Sequence, residues 1–223
     1  TGRGELEIYR QEVVLGIHDH WVGKGQKGWS YSYHDRLFHY LSGKTNPKLI
    51  GGGFCVGESI YLNQIDSMVE NLCKCFYTRR AEAITWDPDK DIYDDEPPCL
   101  QRIWCRVLED PEKGLVLNMD TDWRSRDAYK AAFMNIFALT DLMKVIADKI
   151  SQKIGKPVSI GRYVDCSNSY HIYGSYFEQF KGFLETVKNR TFEERTYTSE
   201  FAEQFFEETR EKLLKNPDYM LNK

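Results

Sequence analysis

The chain has 223 residues, 41% of them hydrophobic and 14% aromatic, enough apolar material for one full core. Its formal net charge of -4 argues against a nucleic-acid footprint and leaves room for a small anionic substrate if arginines cluster locally. No run is long and apolar enough to cross a membrane, the N-terminus lacks a signal-peptide pattern, and six cysteines over this length are not a disulfide framework, so reduced thiols and a cytoplasmic protein are expected.

Leu6, Ile8, Tyr9, Val13, Val14 and Ile17 recur at roughly helical spacing and predict an amphipathic helix near 5–17. Residues 23–28 form a glycine- and lysine-rich loop. Gly28-Trp29-Ser30-Tyr31-Ser32-Tyr33 alternates and reads as a short strand or extended segment. A proline and three successive glycines make 46–53 a loop. Ile60, Ile65, Met68, Val69, Leu72 and Phe76 mark a helix over 61–76, which runs into Arg79-Arg80. Two arginines at such a junction are either solvated surface or anion contacts, because the guanidinium fork suits phosphate oxygens. Cys73-Lys74-Cys75 lacks the two-residue gap of zinc or redox pairs.

A strand over 81–86 and an acidic loop over 87–95 lead to Glu96-Pro97-Pro98-Cys99-Leu100-Gln101. Each proline fixes φ and withholds a backbone donor, so Cys99 is held rigidly at a strand entrance. It is either a thiol aimed at a ligand or a buried structural cysteine. A strand over 102–109, a turn at 110–114 and a hairpin partner over 115–120 follow. Then comes Trp123-Arg124-Ser125-Arg126-Asp127. An arginine beside a thiol favours the thiolate, although Arg124 could instead form a surface ion pair with Asp122 or Asp127. The apolar periodicity predicts a long helix over 127–153, stopped by Gly155 and Pro157, then a strand over 158–166. The segment 167–173 leads into a helix carrying Tyr176, Phe177, Phe180 and Phe183. A last helix, capped at 198–200, runs to about 214 and ends at Asn216-Pro217. Strands alternate with helices throughout, so the expectation is one α/β or α+β domain over 1–223.

Several of these segments, in order, resemble the thymidylate synthase family. They are Arg79-Arg80, Trp86-Asp87-Pro88, Pro97-Pro98-Cys99, Arg124-Ser125-x-Asp127, Asn135 and His171-x-Tyr173. Tyr31-Ser-Tyr33-His-Asp-Arg36-Leu37 and Leu100-Gln101 look most like archaeal-type members, and the likeness spans about 28–177. The resemblance implies a mixed sheet packed with helices, joined sheet to sheet in a homodimer with shared active sites. It implies reductive methylation of dUMP to dTMP, with methylenetetrahydrofolate or an archaeal analogue, methylenetetrahydromethanopterin, as co-substrate and no metal. Cys99 would be the thiolate that attacks C6 of the pyrimidine, assisted by Arg124. Arg124 and Ser125 would hold the phosphate, together with Arg79 and Arg80 donated by the second subunit. His171 and Tyr173 would bind the sugar 3′-hydroxyl. Asp127, which by position alone is an acid at a helix N-terminus, and Tyr31 would face the pterin.

Asn135 would read the base, because a carboxamide matches the N3–H donor and O4 acceptor of uracil together. Its other reading, like that of His171, is a polar group bonded within the core. The chain has Leu100 where bacterial members have His, and Ala131-Ala132-Phe133 where they have Gly-Leu-Pro. Set against that family, the N-terminal segment that would carry a phosphate-binding arginine loop and a proton-transfer glutamate is expected to be absent or divergent. Glu12 is the candidate substitute for that acid. The last helix and the 219–223 tail also depart from the family's ending. The same resemblance leaves open a dUMP or dCMP hydroxymethylase, or a nucleotide-binding relative without catalysis.

Overall fold

A computed structural model describes residues 2–23, 28–50 and 54–219, giving only the backbone course over 43–50 and 54–59. In chain order the elements are α1 (Arg3–Leu15), a 3-10 turn (Asp19–Trp21), α2 (Tyr33–Phe38), β1 (Tyr40–Ile50), β2 (Phe54–Leu62), α3 (Gln64–Lys74), β3 (Glu82–Ile84) and α4 (Pro88–Asp91). They continue with β4 (Leu100–Asp110), β5 (Gly114–Trp123), β6 (Arg126–Asp127), α5 (Ala131–Ile154), β7 (Val158–Ser167), β8 (Tyr170–His171), α6 (Phe177–Asn189) and α7 (Ser199–Lys215).

The central sheet has the order β3-β4-β5-β7. β3, β4 and β5 pair antiparallel, whereas β7 lies parallel to β5. That change of direction requires a crossover, which α5 supplies. The sheet is mixed, as the α/β expectation holds. One face is apolar: Ile103, Cys105 and Val107 of β4 and Leu117, Met119 and Trp123 of β5 join Leu139, Leu142, Ile146 and Ile150 of α5 in the main core. Ile65, Met68, Val69 and Leu72 of α3 complete it. Strand alternation sends Trp104, Arg106 and Leu108 to the other face, where they are half-buried or exposed.

α1 packs on α5, and α7 packs on the outer side of α1. Leu6, Ala202 and Phe206 form the small apolar seam between them. Within that seam Glu7 is fully buried and accepts hydrogen bonds from Arg10, Gln11 and Arg210.

Several expectations shift. Residues 46–50 belong to β1 and not to a loop, because they pair in register with β2, Asn46 opposite Glu58 and Pro47 opposite Gly57. A two-stranded ribbon consists of edges, where a missing proline N–H is tolerated. The glycines at 51–53, the loop residues 24–27 and the tail beyond Tyr219 lie outside the described residues. Ile60 is in β2; α3 starts only after Asn63, whose side chain accepts the Asp66 N–H as an N-cap. Tyr33 opens a helix, and before it only Trp29, bridged to Val22, pairs like a strand. Asp127 is in β6, four residues before α5 begins.

Candidate active site

Cys99 sits at the foot of β4, half-buried and packed against the core edge, so it is not an inert interior thiol. Its carbonyl accepts the Arg124 N–H at 2.9 Å. The Arg124 side chain completes the clasp. Nε donates to the Pro98 carbonyl at 3.0 Å and Nη2 to the Pro97 carbonyl at 2.5 Å. Proline cannot satisfy its neighbours through an N–H, but its carbonyl is free, and a guanidinium fork spans two successive carbonyls. Gln101 adds a third bond, Nε2 to the Pro98 carbonyl at 2.8 Å. The ion pairs expected as an alternative for Arg124 do not form. Asp122 takes Arg102 at 2.5 Å, and the Asp127 carboxylate accepts the Tyr129 and Lys130 N–H groups.

The opposite wall comes from 28–33. The Tyr33 hydroxyl accepts the Leu100 N–H at 3.4 Å, and its ring meets Trp123 edge to face at 5.9 Å. Tyr31 lies within electrostatic reach of both Cys99 and Arg124; burial pushes its hydroxyl up to about 12, and a charge on Cys99 would push it the same way. Arg36 anchors this wall. It is buried, and it donates to the Thr85 carbonyl at 3.1 Å and to both oxygens of buried Asp91 at 3.2 and 2.7 Å. The acidic segment 87–95, expected as a loop, holds the short helix α4, whose last residue Asp91 ties it to α2, while Thr85 bonds the Leu100 carbonyl beside Cys99.

Helix α1 supplies a third wall. Tyr9, Glu12 and Val13 line a recess of about 170 Å3 with Trp29, Tyr31, Ser32 and Tyr33. The Tyr9 hydroxyl accepts Nδ2 of buried Asn135 at 2.5 Å. Burial raises Tyr9 well above the ordinary phenol range, and the neighbouring Glu12 raises it further, so it stays neutral as a hydrogen-bonding group. Asn135 is thus bonded inside the fold through its amide nitrogen, while its Oδ1 accepts no hydrogen bond among the described residues.

The remaining expected residues fall into two groups. β6 pairs parallel with β8, Arg126 opposite Tyr170 and Asp127 opposite His171, so the Arg124–Asp127 segment and His171 share one end of the sheet. His171 is half-buried, with Nδ1 at 3.2 Å from the Ser169 hydroxyl, and Tyr173 stands edge-on to it at 4.9 Å. Ser125 is half-buried between β5 and β6. Arg79 and Arg80, by contrast, are exposed between α3 and β3 and join none of these hydrogen bonds. Asp127 is not a helix-end acid; its carboxylate closes a tight turn ahead of α5.

Sequence reading did not single out Tyr9, His18 or Arg126. Arg126 is buried over the Trp123 ring at 4.0 Å, bonded to Asp165 and to the Ala132 carbonyl, and so fixes the entry to α5. The signal for Tyr9 was its place three residues before Glu12 on one helix face, which the apolar stripe of α1 obscures.

A family model described as "Thymidylate synthase" matches residues 8–213. The chain is similar to three archaeal-source proteins that carry the name "Putative thymidylate synthase". One, from Methanothermobacter marburgensis, is 30% identical over 171 residues, 77% of this chain and 62% of that protein. Another, from Methanocaldococcus jannaschii, is 32% identical over 177 residues, 77% of this chain and 64% of that protein. The third, from Methanopyrus kandleri, is 32% identical over 139 residues, 62% of this chain and 56% of that protein. The chain spans about three fifths of the length of the curated relatives it matches.

Proposed function

The chain belongs to the thymidylate synthase family, and from that premise we propose that it methylates dUMP to dTMP through a covalent adduct on Cys99, taking both carbon and hydride from a reduced pterin of the methylenetetrahydrofolate type. The observation that carries this reading is the placement of Cys99 on a turn clasped by Arg124, within electrostatic reach of Tyr31, which lines the recess beside α1, where Tyr9 bonds Asn135. The sulfur of Cys99 adds to C6 of the uracil ring, and the electron pair moves through C5 toward O4. C5 then attacks the one-carbon unit carried on the pterin nitrogen; loss of the C5 proton expels that nitrogen and leaves an exocyclic methylene, and hydride from the released tetrahydropterin adds to the methylene and expels the Cys99 thiolate, giving dTMP and the dihydropterin. Glu12 serves proton transfer at the ring from its place in the recess.

Asn135 reads the base: Oδ1, which is not engaged, accepts N3–H, and the second Nδ2 proton donates to O4. Ser125 and Arg124 take the phosphate. His171 and Tyr173 take the sugar, and Asp127 and Tyr31 face the pterin. Arg79 and Arg80, exposed in one chain, reach a phosphate in a homodimer formed through the open face of the sheet, where Leu108 is 39% exposed.

The test is incubation with C5-tritiated dUMP and methylenetetrahydrofolate or methylenetetrahydromethanopterin. The expected result is tritium release to water and a product with the mass of dTMP. Cys99→Ser abolishes release and leaves dUMP binding within a few fold. A hydroxymethylated product, or release that survives the serine substitution, would overturn the reading.

A further inference from the structure

Helix α1 stops at Gly16, which adopts φ of 64° and where a Cβ would lie 2.2 Å from Nδ1 of His34. Only glycine fits there, and the chain turns back beneath the helix it has just left. That reversal places His18 under Glu12. The His18 ring is fully buried, with Nδ1 2.7 Å from Oε1 of Glu12. One face stacks on Trp21, with centroids 3.9 Å apart and planes 5° apart, and Trp29 closes on it edge to face at 5.9 Å. Trp21 is held in turn by Asp218, whose carboxylate accepts the indole N–H at 2.8 Å. The imidazole is therefore gripped on a stacked face and an edge, and it has little rotational freedom to lose.

Its second nitrogen decides the tautomer. Nε2 is buried and has no hydrogen-bond partner among the described residues. A proton there would be a buried donor without an acceptor, the rarer and costlier kind of orphan. The ring proton accordingly sits on Nδ1 and is donated to Glu12. Oε1 of Glu12 is then occupied. Oε2 accepts no hydrogen bond among the described residues, and Glu12 lines the recess together with Tyr9 and Tyr31.

We propose that His18 is a positioning residue for Glu12: its Nδ1–H holds one carboxyl oxygen and so aims the other into the recess, where it exchanges protons with the pyrimidine ring. The carboxylate keeps the His18 hydrogen bond on one oxygen and, once the one-carbon unit is bonded to C5, takes the C5 proton on the other and releases it to water. The inference rests on Glu12 being the proton-transfer acid, so the experiment separates the two.

Tritium release, KM for dUMP and dUMP binding by equilibrium dialysis are measured for Glu12→Gln, His18→Leu and His18→Asn. Asparagine places an N–H donor where Nδ1 was; leucine fills the space without one. The expected result is a fall in kcat of about 100-fold for Glu12→Gln and about 10- to 100-fold for His18→Leu, with KM and dUMP affinity changed less than about 3-fold, and substantial recovery in His18→Asn. If Glu12→Gln turns over normally, the reading of Glu12 falls. If Glu12→Gln is slow while His18→Leu keeps its rate, or if leucine and asparagine are equally slow, the role of His18 alone falls. Should the leucine variant not fold, His18→Gln replaces it, because glutamine carries its donor one bond further out. Equal rates for the asparagine and glutamine variants would overturn the proposal.

Discussion

Asp91→Asn is the sharpest probe of the scaffold behind Cys99. The Asp91 carboxylate accepts three hydrogen bonds, from the Asp87 N–H at 2.6 Å and from Nη1 and Nη2 of Arg36 at 3.2 and 2.7 Å. Asp91 is 2% exposed and Arg36 6%, so water cannot stand in for a lost partner. The carboxamide is nearly isosteric, but one of its two terminal atoms becomes a donor. If that atom replaces Oδ1, it faces Nη2; if it replaces Oδ2, it faces both Nη1 and the Asp87 N–H. Either way at least one donor meets a donor, and the buried Arg36 charge keeps only the more distant Asp87 carboxylate, 3.9 Å away. Breaking one side of a buried pair costs about 3–5 kcal/mol, a large share of the ~5–15 kcal/mol that holds a domain together. For a chain of this length that lowers Tm by about 6–20 °C. Urea denaturation followed by tryptophan fluorescence measures it. The double replacement Arg36→Met with Asp91→Leu should regain most of the loss, since a packed apolar pair no longer buries charge. A loss below ~1 kcal/mol for Asp91→Asn, or a double variant no better than the single, would refute the argument.

Asn135→Asp reverses the amide's donor, so the ratio of kcat/KM for dCMP over dUMP should rise by about 10-fold or more, and an unchanged ratio would remove Asn135 as the base reader. Tyr9→Phe deletes the bond that holds the Asn135 amide; it should weaken dUMP binding by about 5- to 10-fold with little change in the thermal midpoint, and wild-type affinity by equilibrium dialysis would count against it. Alkaline stability follows from the phenols. Tyr31 is raised from 10.0 to about 12, and Tyr9, Tyr33 and Tyr163 shift the same way, chiefly through burial. Their folded-state values exceed the unfolded ones, so their contribution is complete below about pH 10 and is lost as pH rises toward 12. Urea midpoints should therefore fall between pH 9 and 11, and fall less in Tyr31→Phe; parallel curves for the two proteins would be the contrary result.

Much of the site was legible because its residues stand beside rigid punctuation. Pro97-Pro98 marks the turn at Cys99, and Gly155 with Pro157 marks the end of α5, so both crossings of the sheet edge could be placed without coordinates. The hairpin β1–β2 was hidden because its pairing is a property of two segments at once, while Pro47 and the glycines at 51–53 each signal a break locally. The third wall was hidden for a different reason. An apolar stripe reports which side of a helix faces the core, but it does not say that Tyr9 meets Asn135, 126 positions away, or that Glu12 lines the same recess. For Arg79 and Arg80 the sequence left solvated surface and anion contact both open, and in one chain they are exposed between α3 and β3.

The parallel pairing of β5 with β7 has a kinetic side. Strands running in the same direction cannot zip from a shared turn; the whole of α5 must first be laid across them. The β6–β8 ladder, which brings Asp127 beside His171, sits at the far end of that closure and is only two residues deep on each strand. If the proposed reading holds, nucleotide binding would report arrival at the native state and not collapse of the chain: during refolding, affinity for dUMP should lag behind recovery of helical circular dichroism, and nucleotide added early should raise the yield more than it raises the initial rate.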